Sequence, residues 1–270
     1  MLVGIVSVQF GAGIAKSLFD AVDPTTLAWL RLATSAVVLL AWVRPRLRRR
    51  SRQDWLVVLG FGLALGTMNW AIYQSFARIP LGIAVTLEFV GPLALAVSGS
   101  RRLRDLAWVV LAGLGVLLLG LEPGDLTWAG VGFALLAGAA WAAYILLSRS
   151  TGARWPGMDG LAVASTIAAV LLAPLALTHG GDLAQGRILL LGALVGLLSS
   201  VIPYSCELVA LRSLRPAVFG ILMSLEPAAA ALAGWVVLRE TLSVVQWLAL
   251  ACVIVASVGA TRDWGAEPVA

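Results

Sequence analysis

The sequence predicts an all-α integral membrane protein, with about ten transmembrane helices arranged as two inverted five-helix repeats. Three observations predict it. The composition is too apolar for a water-facing surface, the apolar residues fall in runs of membrane-spanning length, and a pattern of Arg, Glu and Pro recurs half a chain apart.

Of the 270 residues, 60% are hydrophobic and only 12% charged, with a mean hydropathy of +0.96. Soluble domains carry roughly 25% charged residues, so too little polar surface remains to cover a globule of this size. A lipid solvent removes that requirement. A helix rises about 1.5 Å per residue, and roughly 20 residues cross a hydrocarbon layer of about 30 Å.

The first span, 2–19, starts at Met1 without a basic leader and outruns a typical signal core, so it reads as a membrane helix carrying Lys16. Span 26–43 carries Arg31 and ends at the basic run RPRLRRRSR (44–52). Span 55–77 contains GTMNWAIY (66–73), which sets Asn69 and Tyr73 on one helix face at i, i+4. Span 81–98 contains Glu88, with Pro92 one turn later. Spans 106–121, 128–148 and 158–178 are rich in glycine and alanine, which permit close helix contact. Span 188–211 holds IPYSCEL (202–208), with Tyr204 and Glu207 on one face just after Pro203. Span 216–238 holds Glu226 and Pro227, and span 243–261 closes the chain. Cys206 and Cys252 both lie in apolar spans and read as small apolar residues, not as a disulfide. The one histidine, His179, has no cluster of His, Cys or carboxylates around it, so no metal is expected there.

Orientation follows from the arginines. With the N-terminus in the cytoplasm, the cytoplasmic connections hold Arg44 to Arg52, Arg101, Arg102, Arg104, Arg149, Arg154, Arg212 and Arg215, with Arg262 in the tail. Only Arg78, Arg187 and Arg239 fall outside, while Asp20, Asp23, Glu122, Asp125 and Asp182 make the outer connections acidic. This is the positive-inside pattern over short loops. It predicts a multi-pass protein of the cytoplasmic (inner) membrane with both termini cytoplasmic. The net charge of +5 then reads as a topology anchor facing anionic lipid, not as a nucleic-acid surface.

The repeat divides the chain at 2–121 and 128–261. YQSFARIPLGIAVTLEFVGPLALAV (73–97) resembles ELVALRSLRPAVFGILMSLEPAAAALAG (207–234): an arginine-bearing turn, a proline, an apolar stretch with glycine, then Leu-Glu with a proline after it. Arg78 aligns with Arg212 at an offset of 134, and Glu88 with Glu226 at 138. Five helices per half is an odd number, so the second half must enter the membrane inverted. Inverted repeats recur in secondary transporters, with the substrate site near the midplane between the halves.

Glu88, Glu207 and Glu226 each sit inside a span. A charge at the bilayer centre costs roughly 2.5–3.5 kcal/mol, so three would cost about 8–10 kcal/mol if ionised and lipid-facing. They must face the interior, be paired, or be protonated. Lys16 and Arg31 are the natural counter-charges, although Lys16 is also placed to snorkel and Arg31 to form a structural ion pair. Glu88 and Glu226 suit shared positions near the pseudo-axis, and equally suit tying down backbone freed by Pro92 or Pro227. Asn69 and Tyr73 either bind a solute or glue helices together. The candidate substrate- and proton-binding set is Lys16, Asn69, Tyr73, Glu88, Tyr204, Glu207 and Glu226. A zwitterion suits it, with Glu taking the ammonium and Lys or Asn the carboxylate.

These segments carry a family resemblance. SVQFGAGIAKSLF (7–19), GTMNW (66–70), PLGIAVTLEFVGPLALAV (80–97), IPYSCELVAL (202–211) and FGILMSLEPAAAAL (219–232) resemble the EamA-type branch of the drug/metabolite transporter superfamily. More narrowly they look like its bacterial threonine/homoserine exporters, and the resemblance covers about residues 2–261. RETL (239–242) matches where the family reads Gly-Glu-Thr-Leu, with Arg239 in place of the glycine. The resemblance implies export of small neutral amino acids in exchange for protons.

No phosphate-binding G-x-x-x-x-G-K-[ST] run exists, so no nucleotide cofactor is expected and drive must come from ion gradients. A second transport reading exchanges the cargo for another metabolite or a lipophilic drug, moved in either direction. An enzyme would need a nucleophile–base pair or metal cluster, and Ser199, Ser200 and Ser205 have no histidine beside them. The expected partners are a small solute, protons and the bilayer, and the sequence leaves a homodimer open.

Overall fold

A computed structural model describes residues 1–48, 50–98, 103–120, 126–178, 183, 185–203, 206 and 222–264. The helices in chain order are α1 (Leu2–Lys16), α2 (Pro24–Val43), α3 (Arg52–Phe76), α4 (Leu81–Glu88), α5 (Val90–Ser98) and α6 (Leu103–Gly120). They are followed by α7 (Trp128–Gly152), α8 (Asp159–Leu177), α9 (Gly186–Gly196), a π-helical turn (Leu197–Val201), α10 (Glu226–Leu238) and α11 (Val244–Trp264). No strand occurs among the described residues. The helices α2, α3, α7 and α8 are each long and apolar enough to cross a membrane. Six shorter apolar segments, at Leu2–Lys16, Leu81–Leu95, Ala107–Leu118, Gly186–Val201, Glu226–Leu238 and Val244–Ala260, overlap the remaining predicted spans one for one.

Local chemistry sets the helix ends. Asp23 caps α2 by accepting from Thr25 N at 2.8 Å, with Pro24 at the first position, where its missing N–H costs nothing. Ser51 and Asp54 form a reciprocal capping box at the start of α3, satisfying two otherwise orphaned donors. The end of α10 is less comfortable. Arg239 adopts a left-handed conformation (φ 59°), which lets Glu240 N bond back to Gly234 O at 3.1 Å. That conformation favours glycine, which gives a physical reason for the glycine that the resembling family carries there.

The packing partners follow an ordered scheme. Against each other lie α2 and α8, α4 and α10, and α6 and α11. In addition, α3 packs on α7 and α1 on α9 and the π turn; α1 packs on α10 and α7 on α4 and α5; α3 packs on α8 and α2 on α9. The closest approach is made by backbone. At Gly91 a Cβ would collide with the carbonyl of Gly138, so α5 and α7 touch main chain to main chain. Large apolar side chains including Trp42, Trp128, Leu190 and Val244 remain exposed on the outside of the bundle. In water such a surface would drive aggregation; in lipid it is the solvent contact.

Candidate functional site

Two helices loosen beside a glutamate, although Phe89 keeps a right-handed helical backbone and its N–H still bonds to Val85 O at 3.0 Å. α4 ends at Glu88, Phe89 forms a turn, and α5 resumes at Val90. On the other side, Leu222 and Met223 are helical, Ser224 and Leu225 turn, and Glu226 opens α10 with Pro227 in its first turn. Both carboxylates are 9% exposed. α4 and α10 run against one another, and a Cβ on Gly82 would stand 2.8 Å from Ala231 Cα. From that contact, Glu88 lies six residues along α4 and Glu226 five residues back along α10. At about 1.5 Å per residue the two carboxylates share one depth in the bundle.

Other polar side chains share that level. Arg31, Asn69 and Glu88 each lie seven residues in from the end of their helix, at Pro24, Phe76 and Leu81 respectively. Those three ends belong to one face of the bundle: Gln74 Nε2 donates to Thr25 Oγ1 at 3.0 Å, and Lys16 Nζ donates to Ile79 O at 2.7 Å. The level is therefore about 10 Å below that face. Arg31 is 8% exposed; its Nη2 donates to Ser199 O at 2.9 Å and its Nε to Ser200 Oγ at 3.3 Å. Both acceptors sit on the π turn, a local distortion that frequently marks functional sites. The Tyr73 ring lies beneath the Arg31 guanidinium at 5.9 Å.

Several buried polar atoms here meet no full hydrogen bond among the described residues: Asn69 Oδ1, Tyr73 Oη and Ser199 Oγ. An unpaired buried polar group costs roughly 1–3 kcal/mol, and native interiors hold few of them. Three within about a turn of one another, with the Arg31 guanidinium and two buried carboxylates, make a polar cluster in an apolar bundle. Glu88 makes no hydrogen bond or ion pair among the described residues, and Arg31 lies within electrostatic reach of it. Pro92 frees backbone one turn away, but no bond from Glu88 ties it down.

Lys16 is engaged elsewhere. Its Nζ lies 2.6 Å from Glu240 Oε1, and Glu240 Oε2 accepts from Leu81 N at 2.8 Å. Among the described residues Lys16 is thus paired with Glu240, a partner other than the expected Glu88 and Glu226, while Glu207 lies outside the described residues. Arg31, expected in a structural ion pair, has no carboxylate within ion-pair distance among the described residues. Asn69 Nδ2 donates to Leu65 O of its own helix at 2.8 Å, and the amide makes no hydrogen bond to another helix among the described residues. Tyr204 and Glu207 lie outside the described residues, as does His179. Sequence reasoning missed Glu240 and the two serines. Glu240 stands in the quoted RETL motif, whereas nothing in Ser199-Ser200 announces a π turn.

The opposite end of the bundle is tied by charge. Arg46 N donates to Asp159 Oδ2 at 3.1 Å, Arg50 lies 3.9 Å from the same carboxylate, and Arg154 lies 3.4 Å from Asp54. Part of the basic run expected to face lipid thus links the α2–α3 connection to the α7–α8 connection.

Comparison with known proteins gives this geometry a family. The model of the EamA-like transporter family matches residues 128–262. The threonine/homoserine exporter RhtA of Salmonella typhimurium (strain LT2) is 44% identical over 272 residues, covering 99% of this chain and 92% of that protein. RhtA of Escherichia coli (strain K12) is 44% identical over 265 residues, covering 97% and 90%. One crystal structure shares the fold with a TM-score of 0.66 at 20% identity, over 97% of this chain and 96% of that one. The chain belongs to the EamA-like transporter family.

Proposed function

We propose that the protein is a secondary transporter that exports small neutral amino acids of the threonine/homoserine type across the cytoplasmic membrane, by proton antiport. One observation carries the mechanism: two helices that loosen beside a glutamate, α4–α5 and the segment leading into α10, present Glu88 and Glu226 at one depth beside buried polar side chains. Discontinuous helices at the midplane are how many secondary transporters expose backbone and charge to a solute. The substrate class is carried over from the relatives named threonine/homoserine exporter, which match nearly the whole chain.

The packing scheme supports an inverted repeat of spans 2–121 and 128–261. Exchanging the first five spans for the last five, in order, sends each packing pair named above to another of them or to itself, whereas the packing of α2 on α3 and of α5 on α11 has no such counterpart among the described residues. The halves rock about the polar cluster, and Glu88 or Glu226 exchanges a proton for solute occupancy. Each proton entering at 100 mV delivers about 2.3 kcal/mol, enough for roughly a fiftyfold outward concentration ratio. The arginine distribution puts both termini in the cytoplasm and the Lys16 face outside.

Inside-out vesicles with an acidic lumen test this. They should accumulate labelled threonine or homoserine, and a protonophore should abolish the accumulation. Accumulation indifferent to the proton gradient would remove antiport, and movement of no neutral amino acid would remove the substrate class.

A further inference from the structure

The polar cluster needs a receiver for a carboxylate, and the two residues that the sequence offers for it are already committed. Lys16 Nζ is held by Glu240 and Ile79 O, and the Asn69 amide nitrogen by Leu65 O. Arg31 is committed on one side only. Its Nε and Nη2 use the side-on edge of the guanidinium, on Ser200 Oγ and Ser199 O. Those two bonds use two of five N–H donors. The end-on edge, formed by Nη1 and the second Nη2 proton, has no partner among the described residues. The guanidinium carbon stands over the Tyr73 ring at 5.9 Å, and the two serine bonds hold the opposite edge.

A buried cation with no ion-paired carboxylate among the described residues is expensive, because Glu88, within electrostatic reach but not in contact, offsets its lost hydration only in part. The two serine bonds keep the guanidinium in place without neutralising it. A planar fork with two parallel N–H groups matches a carboxylate in two-point contact, which a lysine cannot imitate. Tyr73 Oη, buried and within interaction range of both Arg31 and Ser199 Oγ, lies beside it as an additional hydroxyl group. We infer that the open edge of Arg31 receives the α-carboxylate of the transported amino acid, while Glu88, at the same level, faces its ammonium group. The assignment rests on the amino-acid export reading above and adds to it the group that distinguishes an amino acid from a simple amine.

The test is counterflow of labelled threonine in liposomes holding the full-length protein, with threoninamide and 1-amino-2-propanol as competitors. Both keep the amine; the first has lost the charge of the carboxylate and the second the whole group. Wild-type protein should prefer threonine over either by at least about tenfold, the value of a charge-assisted contact. Arg31→Gln should raise the half-saturating threonine concentration about tenfold to a hundredfold and shrink the preference over threoninamide to within about twofold. Arg31→Lys keeps the charge without the fork and should fall between them.

Wild-type protein that exchanges threonine but accepts threoninamide equally well overturns the assignment without any variant. So does an Arg31→Gln protein, monodisperse in detergent, that keeps the full preference. A wild-type protein that exchanges no amino acid defeats the export reading itself, and the Arg31 assignment with it.

Discussion

Lys16 and Glu240, 224 positions apart, form an ion pair of 2.6 Å that joins the end of α1 to the turn after α10. The second Glu240 oxygen holds Leu81 N, an orphan donor at the start of α4, at 2.8 Å. One carboxylate thus fastens three elements at a single face of the bundle. In the proposed orientation that face is external, and the link closes it.

Removing either partner should destabilise the fold. Both side chains are partly exposed, so the cost falls below that of a fully buried pair, at about 1–3 kcal/mol. Glu240→Gln should lose this in detergent unfolding, and Lys16→Met likewise. The double variant should lose less than the sum, because neither residue is left charged alone. Additive losses would mean that the 2.6 Å contact carries no coupling.

Glu88 gives a second expectation. Glu88→Gln removes the titrating group while keeping the shape of the side chain. If Glu88 couples the proton, the pH-driven accumulation of threonine in inside-out vesicles should fall by up to roughly fiftyfold, the ratio that one proton at 100 mV supports. Acidifying the lumen should then no longer increase accumulation. A variant that keeps the wild-type response to lumen pH would move the coupling role to another carboxylate.

The helical segments were legible in the sequence because the bilayer imposes a length and a polarity on each of them. Glu88 and Glu226 were legible for a related reason: a carboxylate within an apolar run must be sheltered, and the shared Leu-Glu pattern pointed to matching places. What composition could not reveal was pairing. Lys16 and Glu240 lie in opposite halves of the chain, so no local spacing links them, and Lys16 had three carboxylates nearer the midplane to choose from. Arg31 was expected in an ion pair, since a buried charge usually finds one. Among the described residues its partners are a backbone carbonyl and a hydroxyl on a π turn, a distortion that no residue pattern encodes.

Arg239 offers a stabilising change. Its left-handed backbone costs an L-residue about 1–2 kcal/mol, and glycine escapes that cost but adds about 0.5–1 kcal/mol of unfolded-state entropy. Arg239→Gly should therefore stabilise by about 0.5–1 kcal/mol in detergent unfolding. Destabilisation would show that the arginine side chain makes a contribution larger than the backbone strain.

The contact between α5 and α7 makes an asymmetric pair of glycine substitutions informative. A Cβ on Gly91 would meet main-chain atoms of Gly138, which cannot rotate away, so Gly91→Ala should cost about 1–3 kcal/mol or prevent folding. Gly113, on α6, has nothing within 4 Å of the same added atom, and Gly113→Ala should be neutral. Yields of monodisperse protein from the two variants would check this directly. Equal behaviour would mean that α5 and α7 separate without penalty, and the position of Glu88 at the end of α4 would lose its support.

Orientation is open to chemical labelling at the two ends of α3. Gln53 and Ala77 are both exposed, at opposite ends of this 25-residue helix, which spans about 37 Å at 1.5 Å per residue. The basic residues gathered around Gln53 should hold that end on the cytoplasmic side. In intact cells, a cysteine replacing Ala77 should react with a membrane-impermeant maleimide, and one replacing Gln53 should react only after permeabilisation. The reverse result would turn the whole molecule over. The Lys16–Glu240 link would then close the cytoplasmic face, and protons entering the cell would reach the polar cluster from the Arg50 side.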